Sequence, residues 1–284
     1  MKQILPVDGR RRVAVFIGTT PNIGTTLVAY SAAVAVARET GGRIGYLCLN
    51  LKSSKLHRYL GIDEAPASLD SLRADLKSRS LTKERLMQHC KKVPGADGLS
   101  LLFGSLLREQ AEFFQPEDVE HLLCVAEEAF DLVIAEVNAY WDNAATVCAM
   151  EQASERFVVT TPDITHFQED FQRWMRTSCS LLGIPLSACR LIVNGGDPGG
   201  GGGIRSKDIA KDMGVELVAE LTRYPDVTRF INQGTLTEWA AGQPLLRRQL
   251  DSVADYLMKM SGLAPAPAKA RKTMKERMFP RISV

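Results

Sequence analysis

The fold of this 284-residue chain is decided near its N-terminus, by the stretch Val13-Ala14-Val15-Phe16-Ile17-Gly18-Thr19-Thr20-Pro21-Asn22-Ile23-Gly24-Thr25-Thr26. Its first five residues are a continuous apolar run, the pattern of a strand buried on both faces of a sheet. A turn rich in Gly, Pro and Thr follows, and the small apolar residues of 27–37 predict a buried helix. A strand, a glycine-bounded loop and a helix are the context of a phosphate-binding loop, where backbone N–H groups and the helix dipole attract an anion.

The loop lacks the lysine of the phosphate-binding pattern G-x-x-x-x-G-K-[ST]. No lysine occurs between Arg12 and Arg38. Two interpretations stay open: the loop binds an anion through its backbone and helix dipole, or it is only a strand-to-helix turn. The candidate nucleotide-binding residues of the loop are Gly18, Thr19, Thr20, Pro21, Asn22, Ile23, Gly24, Thr25 and Thr26.

Downstream, apolar runs of strand length alternate with helical segments. Strands are predicted at 43–50, 99–104, 131–137, 156–160, 190–194 and 216–220, and longer helices at 116–129, 165–182, 208–213 and 244–260, with helical spacing also in the charged region 67–92. Strands joined by helices through right-handed crossovers form a mostly parallel sheet with helices on both faces, which is an α/β fold. Ligands of such sheets bind beyond the carboxyl ends of the strands, where the 18–26 loop also lies.

Composition indicates an ordinary globular chain whose basic character is confined to its end. Apolar residues make up 45% and charged residues 24% of the sequence, as in typical soluble domains. Residues 265–284 carry six Lys and Arg against one Glu. We divide the chain into an N-terminal extension (1–12), one α/β domain (13–262) and a basic tail (263–284). No apolar run approaches the ~18 residues of a membrane-spanning helix, so we expect the protein in the cytoplasm.

The basic tail has two interpretations. Met274, Met278 and Ile282 recur at a spacing of four with cations on the other side, which is typical of a short amphipathic helix on an anionic membrane or an acidic partner. A disordered, solvated tail is the alternative. The first interpretation would place the protein peripherally, at the inner face of the cell membrane. Nothing in the core indicates nucleic-acid binding.

Cysteine, histidine and glycine patterns point to no further site. The six cysteines occur singly, mostly inside apolar runs, so we expect buried free thiols rather than disulfides or zinc ligands. His57, His89, His121 and His166 share no ligand spacing and are interpreted as surface or loop residues. The five glycines at 199–203 predict a solvated flexible loop.

Six segments in register resemble the MinD/ParA branch of P-loop ATPases, and especially the CpaE/TadZ pilus-localisation proteins. They are 23–26 (family V-G-K-T-T), 56–62, 131–136 (Y-D-[YL]-V-I-[IV]-D), 156–163 (D-R-x-x-x-V-x-T-P-D), 191–194 (L-V-x-N) and 217–234 (ending V-x-x-x-x-N-x-G). The match runs from about residue 13 to 260. The resemblance implies a SIMIBI-type P-loop NTPase domain that binds ATP or ADP with Mg²⁺.

The departures from the family pattern fall where the chemistry would be. Thr25 stands in place of the loop lysine, or Gly24 does if a residue is deleted. The branch's second lysine is Thr19 or Thr20 here. Cys48-Leu49-Asn50 stands where the family has D-x-D, so the water-positioning carboxylate expected at Cys48 is absent. Because phosphoryl transfer depends on positioning and on cations that neutralise phosphate charge, we expect weak or no hydrolysis.

The resemblance also assigns roles to single residues. Glu136 stands for the family's strand aspartate and is the candidate catalytic or metal-side carboxylate, against the alternative of an exposed loop charge. Thr25 or Thr26 would bind Mg²⁺, against the alternative of a helix N-cap. Asn194 would recognise adenine through its amide, against the alternative of turn capping before Gly195.

The function implied by the resemblance is that of a degenerate ATPase that localises or scaffolds a bacterial pilus or secretion apparatus. Its partners would be a second copy of the chain and a pilus or secretion ATPase or another polar protein. The alternative is a slow but active ParA/MinD-type ATPase in DNA partition or division-site positioning.

Overall fold

The structure is a computed structural model that describes residues 12–52, 54–63, 67–196 and 203–266. The strands are β1 (Val13–Gly18), β2 (Ile44–Leu49), β3 (Lys91–Lys92), β4 (Leu99–Leu102), β5 (Leu132–Val137), β6 (Glu155–Thr160), β7 (Cys189–Gly196) and β8 (Glu216–Thr222). The α-helices are α1 (Thr25–Thr40), α2 (Leu56–Tyr59), α3 (Arg73–Lys77), α4 (Lys83–His89), α5 (Pro116–Ala129), α6 (Ala144–Gln152), α7 (Arg176–Leu181), α8 (Ser206–Met213), α9 (Val227–Asn232), α10 (Leu236–Gly242), α11 (Pro244–Gln249) and α12 (Asp251–Ser261). A π-helix (Thr165–Met175) precedes α7, and 3₁₀-helices occur at Leu69–Leu72, Arg108–Phe113 and Leu186–Ala188.

The eight strands form one sheet in the order β3-β4-β2-β5-β1-β6-β7-β8. Every pairing is parallel except that of β3 with β4. β1 lies between β5 and β6, and all six of its residues are buried. The prediction of a mostly parallel α/β sheet is therefore confirmed, and the loop after β1 lies at the centre of its carboxyl edge.

The hydrophobic core has one layer on each face of the sheet. Along β1, Val13, Val15 and Ile17 belong to one layer, and Ala14 and Phe16 belong to the other. This alternation follows from the two-residue period of a strand. α1 packs in the second layer with nine buried residues, which are mostly Ala and Val. Helices cover both faces, so the continuous apolar runs are buried on both sides.

The structure differs from the sequence predictions in several places. β3 is an exposed two-residue edge strand inside the region with helical spacing, and two lysines give no strand pattern. α6 was missed because its small, buried residues show almost no helical periodicity. The helix predicted at 244–260 divides at Leu250, which joins α11 to α12. The helix predicted at 165–182 is π-helical over its first part.

Several predictions fall on parts of the chain that the structure does not describe. Residues 1–11 of the extension, 267–284 of the tail and the glycines at 199–202 lie outside the described residues. The domain bounds therefore stay predictions. Four of the six cysteines are buried free thiols, and Cys90 and Cys124 are partly exposed. No helix in the described part of the chain is long and apolar enough to cross a membrane.

Candidate functional site

The loop between β1 and α1 depends on a left-handed glycine. Gly24 is the N-cap of α1 and has φ +88°, a conformation that side chains with a Cβ adopt only with strain. A Cβ on Gly24 would also lie 2.4 Å from the Asn194 amide nitrogen. Gly24 is thus required both for the backbone turn and for the close approach of β7.

The first part of the loop curls over the end of β1. A Cβ on Gly18 would lie 2.6 Å from Thr25 Oγ1 and 2.8 Å from the Thr20 carbonyl oxygen. Thr19 is held to β6, because its N–H donates to the Val159 carbonyl (2.9 Å) and its hydroxyl lies 3.0 Å from that of Thr160. The loop is therefore closed by a glycine at each end, and five residues separate Gly18 from Gly24 where the pattern has four.

Glu136, near the end of β5, is joined to the loop and to β2. The Thr26 hydroxyl donates to Glu136 Oε1, and the Tyr46 hydroxyl donates to Oε2 at 2.6 Å. The residue is only 2% exposed, so the alternative of an exposed loop charge is wrong. Burial raises the pKa of Glu136, and the hydrogen bonds from Thr26 and Tyr46 act in the opposite direction. The carboxyl group is held in place by its neighbours on either side.

The helix N-cap alternative for the loop threonines is also wrong. The N-cap position of α1 is Gly24, with no side-chain cap hydrogen bond. Thr25 and Thr26 are the first two residues of the helix, and the hydroxyl of Thr26 is directed to Glu136.

Asn194 contacts the loop from the other side of β1. Its amide nitrogen donates to the Ile23 carbonyl at 2.7 Å. The following Gly195 has φ +79°, and this left-handed turn directs the chain away from β7. The observed role of the amide is therefore to hold the loop, a contact that neither adenine recognition nor turn capping predicted.

A cavity of about 810 Å³ opens beside the loop, at the carboxyl ends of the strands. Small-molecule sites in proteins have similar volumes. Of the predicted site residues, Thr20, Pro21, Asn22, Ile23, Gly24, Thr25, Thr26, Glu136 and Asn194 line it. Gly18 and Thr19 are buried and are not among the lining residues. The structure thus brings almost all of the predicted residues to one cavity.

The cavity also has lining residues that the sequence analysis missed, among them Asn50, Lys55, Tyr59, Asn138, Arg223 and Tyr224. The signal available in the sequence was their position shortly after strands, where ligands of parallel sheets bind. His166 lines the cavity too, with its ring Nδ1 2.7 Å from the Thr161 hydroxyl, so it is more than an ordinary surface residue.

The D-x-D position that faces the cavity is Asn50 rather than Cys48. Asn50 lines the cavity and accepts a hydrogen bond from Asn138 at 3.3 Å. Cys48 is buried with its sulfur 3.4 Å from the Ser54 hydroxyl, and burial raises the pKa of its thiol to about 12. Of the segment Cys48-Leu49-Asn50, it is therefore Asn50 that lines the cavity.

No protein-family model and no curated protein matches the sequence. Solved structures do resemble the fold. The ParA family ATPase from Chlorobium tepidum TLS superposes with a TM-score of 0.73 at 21% identity, over 87% of this chain and 99% of that one. A chain of the MinC:MinD cell division protein complex from Aquifex aeolicus superposes with a TM-score of 0.71 at 16% identity, over 90% of this chain and 98% of that one. The septum site-determining protein MinD complexed with Mg-ADP from Pyrococcus horikoshii OT3 superposes with a TM-score of 0.66 at 18% identity, over 88% of this chain and 97% of that one.

These likenesses extend over nearly the full length of both chains and show the fold. The chain has the α/β fold of the MinD/ParA P-loop ATPases. The fold implied by the sequence resemblance is confirmed.

Proposed function

We propose that this protein binds ATP or ADP at the cavity beside the loop and serves as a localisation or scaffold factor, with weak or absent hydrolysis. The observation that carries the proposal is the loop itself. It keeps the glycine turn at Gly24 and the contact between Thr26 and Glu136, but it has no lysine. The backbone N–H groups and the dipole of the sixteen-residue α1 remain to attract phosphate.

We infer that Thr25 occupies the position of the missing lysine. The alternative alignment would place Gly24 there, but Gly24 has the left-handed conformation that suits the glycine preceding the lysine. Thr26, the next residue, then corresponds to the threonine of the pattern, and its hydroxyl meets the strand carboxylate. The loop therefore differs from the family pattern by a substitution and not by a deletion.

Thr26 is the residue that would hold Mg²⁺, through its hydroxyl oxygen. Mg²⁺ prefers oxygen ligands and is bound through one or two protein groups together with nucleotide phosphates. No cluster of three or more His, Cys, Asp or Glu side chains suited to a metal occurs among the described residues. Bound Mg²⁺ would neutralise phosphate charge. Both Glu136 oxygens accept hydrogen bonds, so the role of Glu136 in this proposal is to orient the Thr26 hydroxyl.

Weak hydrolysis follows from the groups that line the cavity. Without a lysine in the loop, the transferring phosphate loses a cation that stabilises its transition state. Asn50 supplies an amide where the family has a carboxylate to position water. Both changes act on the chemical step and leave the backbone cradle in place.

The scaffold role and its partners rest on the resemblance to CpaE/TadZ proteins. A pilus or secretion ATPase, another polar protein and a second copy of this chain are the proposed partners. The MinD of Aquifex aeolicus was solved in a complex with MinC, so the fold is compatible with a protein partner. The basic tail at 265–284 would add a contact to an anionic membrane.

The test is calorimetric titration of the full-length protein with ATP and ADP, each with and without Mg²⁺, together with a turnover assay. We expect binding of both nucleotides and turnover at background. A protein that binds neither ATP nor ADP would contradict the proposal. Turnover clearly above background, lost in Glu136→Gln, would instead support the slow but active ATPase of DNA partition or division-site positioning.

A further inference from the structure

Cationic side chains line the cavity, although the 18–26 loop contributes none of them. Of its described lining residues, only Lys55 and Arg223 carry a permanent positive charge. Neither side chain forms a hydrogen bond or an ion pair with another residue in the described part of the chain. A cation at the wall of a polar cavity that is held by no carboxylate is available to an anionic ligand.

The order of the strands separates these two cations. β5 and then β2 lie on one side of β1, and β6, β7 and β8 lie on the other. Lys55 follows β2 and is on the side of Glu136, whereas Arg223 follows β8 and is on the side of Asn194. Lys55 is thus the cation on the side of the Thr26–Glu136 contact, where the phosphates of a nucleotide held by the loop would lie.

Of the cationic side chains in the segment after β2, Lys55 lines this cavity, whereas Lys52 and Arg58 line a neighbouring one. Lys55 and Tyr59 are four residues apart and both line the cavity. Arg58 lines a neighbouring cavity of about 430 Å³ and pairs with Asp63 at 2.9 Å. Lys52, which lines that second cavity too, forms an ion pair with Asp142.

The segment is also held close to the cavity by a contact between two glycines. Gly61, just after α2, and Gly234, just after α9, both have positive φ. A Cβ on Gly234 would lie 2.3 Å from Gly61 Cα, so the two backbones pack without any side chain between them. This contact keeps α2 against α9, whose Val227 and Ile231 line the cavity.

We propose that Lys55 supplies, from the segment after β2, the phosphate-directed positive charge that Thr25 does not supply from the loop. The ligand is the terminal phosphate of a nucleoside triphosphate, so the inference rests on the proposed nucleotide site. Two strand spacings of about 4.8 Å separate β2 from β1. Lys55 follows β2, the loop follows β1, and Glu136 lies on β5 between these two strands; all three line the same cavity.

The test compares Lys55→Met with Lys52→Met in the full-length protein by calorimetric titration with ATP, ADP and AMP. Both variants remove one lysine charge from the same segment, but only Lys55 lines the cavity. We expect Lys55→Met to weaken ATP binding about tenfold, as for the loss of a charge-assisted hydrogen bond, to weaken ADP binding less and to leave AMP binding unchanged. Lys52→Met should bind all three as the wild type does.

A rescue variant makes the test specific to the missing loop lysine. Thr25→Lys in the Lys55→Met background should restore ATP affinity, because it returns the charge to the same phosphate from the loop. Unchanged ATP affinity in Lys55→Met would overturn the role of Lys55 and leave the nucleotide site standing. Equal weakening of ATP, ADP and AMP binding would also overturn it. A wild type that binds no nucleotide would overturn both the site and the role of Lys55.

Discussion

The loop at 18–26 and the segment after β2, with Asn50, Lys55 and Tyr59, are two walls of one cavity, and they differ in shape and in charge. The loop keeps its backbone shape, with a left-handed Gly24, and has no charged residue. The segment has an amide at Asn50 and carries Lys55. The difference teaches that, in the site we propose, the shape that would receive a phosphate and the charge that would attract it reside on different elements of the fold.

The two walls are connected through Glu136. The carboxyl group accepts hydrogen bonds from Thr26 in the loop helix and from Tyr46 in β2, the strand that leads into the segment. Tyr46 is fully buried and makes an edge contact with the ring of Tyr30, with centroids 6.0 Å apart. Variants of Gly24 in the loop, of the Tyr46 hydroxyl and of the Glu136 charge therefore each test how the two walls depend on one another.

The largest effect is expected from breaking the loop with Gly24→Ala. A residue with a Cβ at this positive φ costs about 1–3 kcal/mol, and the Cβ would in addition lie 2.4 Å from the Asn194 amide. Gly214→Ala is the matched control, since Gly214 has φ +68° and nothing within 4 Å of an added Cβ. Unfolding by urea should show a greater loss of stability in Gly24→Ala than in Gly214→Ala. Only Gly24→Ala should also lose nucleotide binding. Equal losses of stability in both variants would mean that the approach of Asn194 does not constrain the loop.

A smaller effect is expected from Tyr46→Phe, which cuts the link between Glu136 and β2. Removing a hydrogen bond to a charged group costs about 1.5–3 kcal/mol. Tyr30→Phe is the control, because it removes a hydroxyl bonded to the neutral Thr237 hydroxyl at 2.6 Å and should cost only about 1 kcal/mol. Urea unfolding near pH 7 measures both. If Tyr46→Phe costs no more than Tyr30→Phe, Glu136 does not depend on β2 for its position.

The smallest effect is a pH trend in Glu136→Gln. Burial raises the pKa of Glu136 in the folded protein, so the folded state binds this proton more tightly than the unfolded state does. The stability that this proton contributes is lost as the pH rises through the folded-state pKa. Glutamine does not titrate. The stability of the variant relative to the wild type should therefore increase as the pH rises above the pKa of an unfolded glutamate, about 4.3. Parallel stability curves in urea titrations would show that the folded and unfolded states share the same Glu136 pKa.

Much of the fold could be predicted from the sequence because its strands are buried on both faces. Such strands read as continuous apolar runs whatever their neighbours are, and α5 was predicted with its observed bounds, 116–129, since proline and two acidic residues mark its start. The elements missed were those without a pattern of their own. The edge strand Lys91–Lys92 and the partly buried α6 form because the rest of the sheet is there to pair with the strand and to pack against the helix.

The candidate site divides in the same way. The sequence by itself determined the loop, its missing lysine and the strand-end residues Glu136 and Asn194, because these follow from local pattern and chain order. Only the tertiary structure decided that Asn50 rather than Cys48 faces the cavity, and that Lys55 rather than Lys52 does. Tyr46 reaches Glu136 from 90 residues away. The physical reason is that a side chain's surroundings are set by packing between elements distant in the chain, and no local pattern records which of them meet.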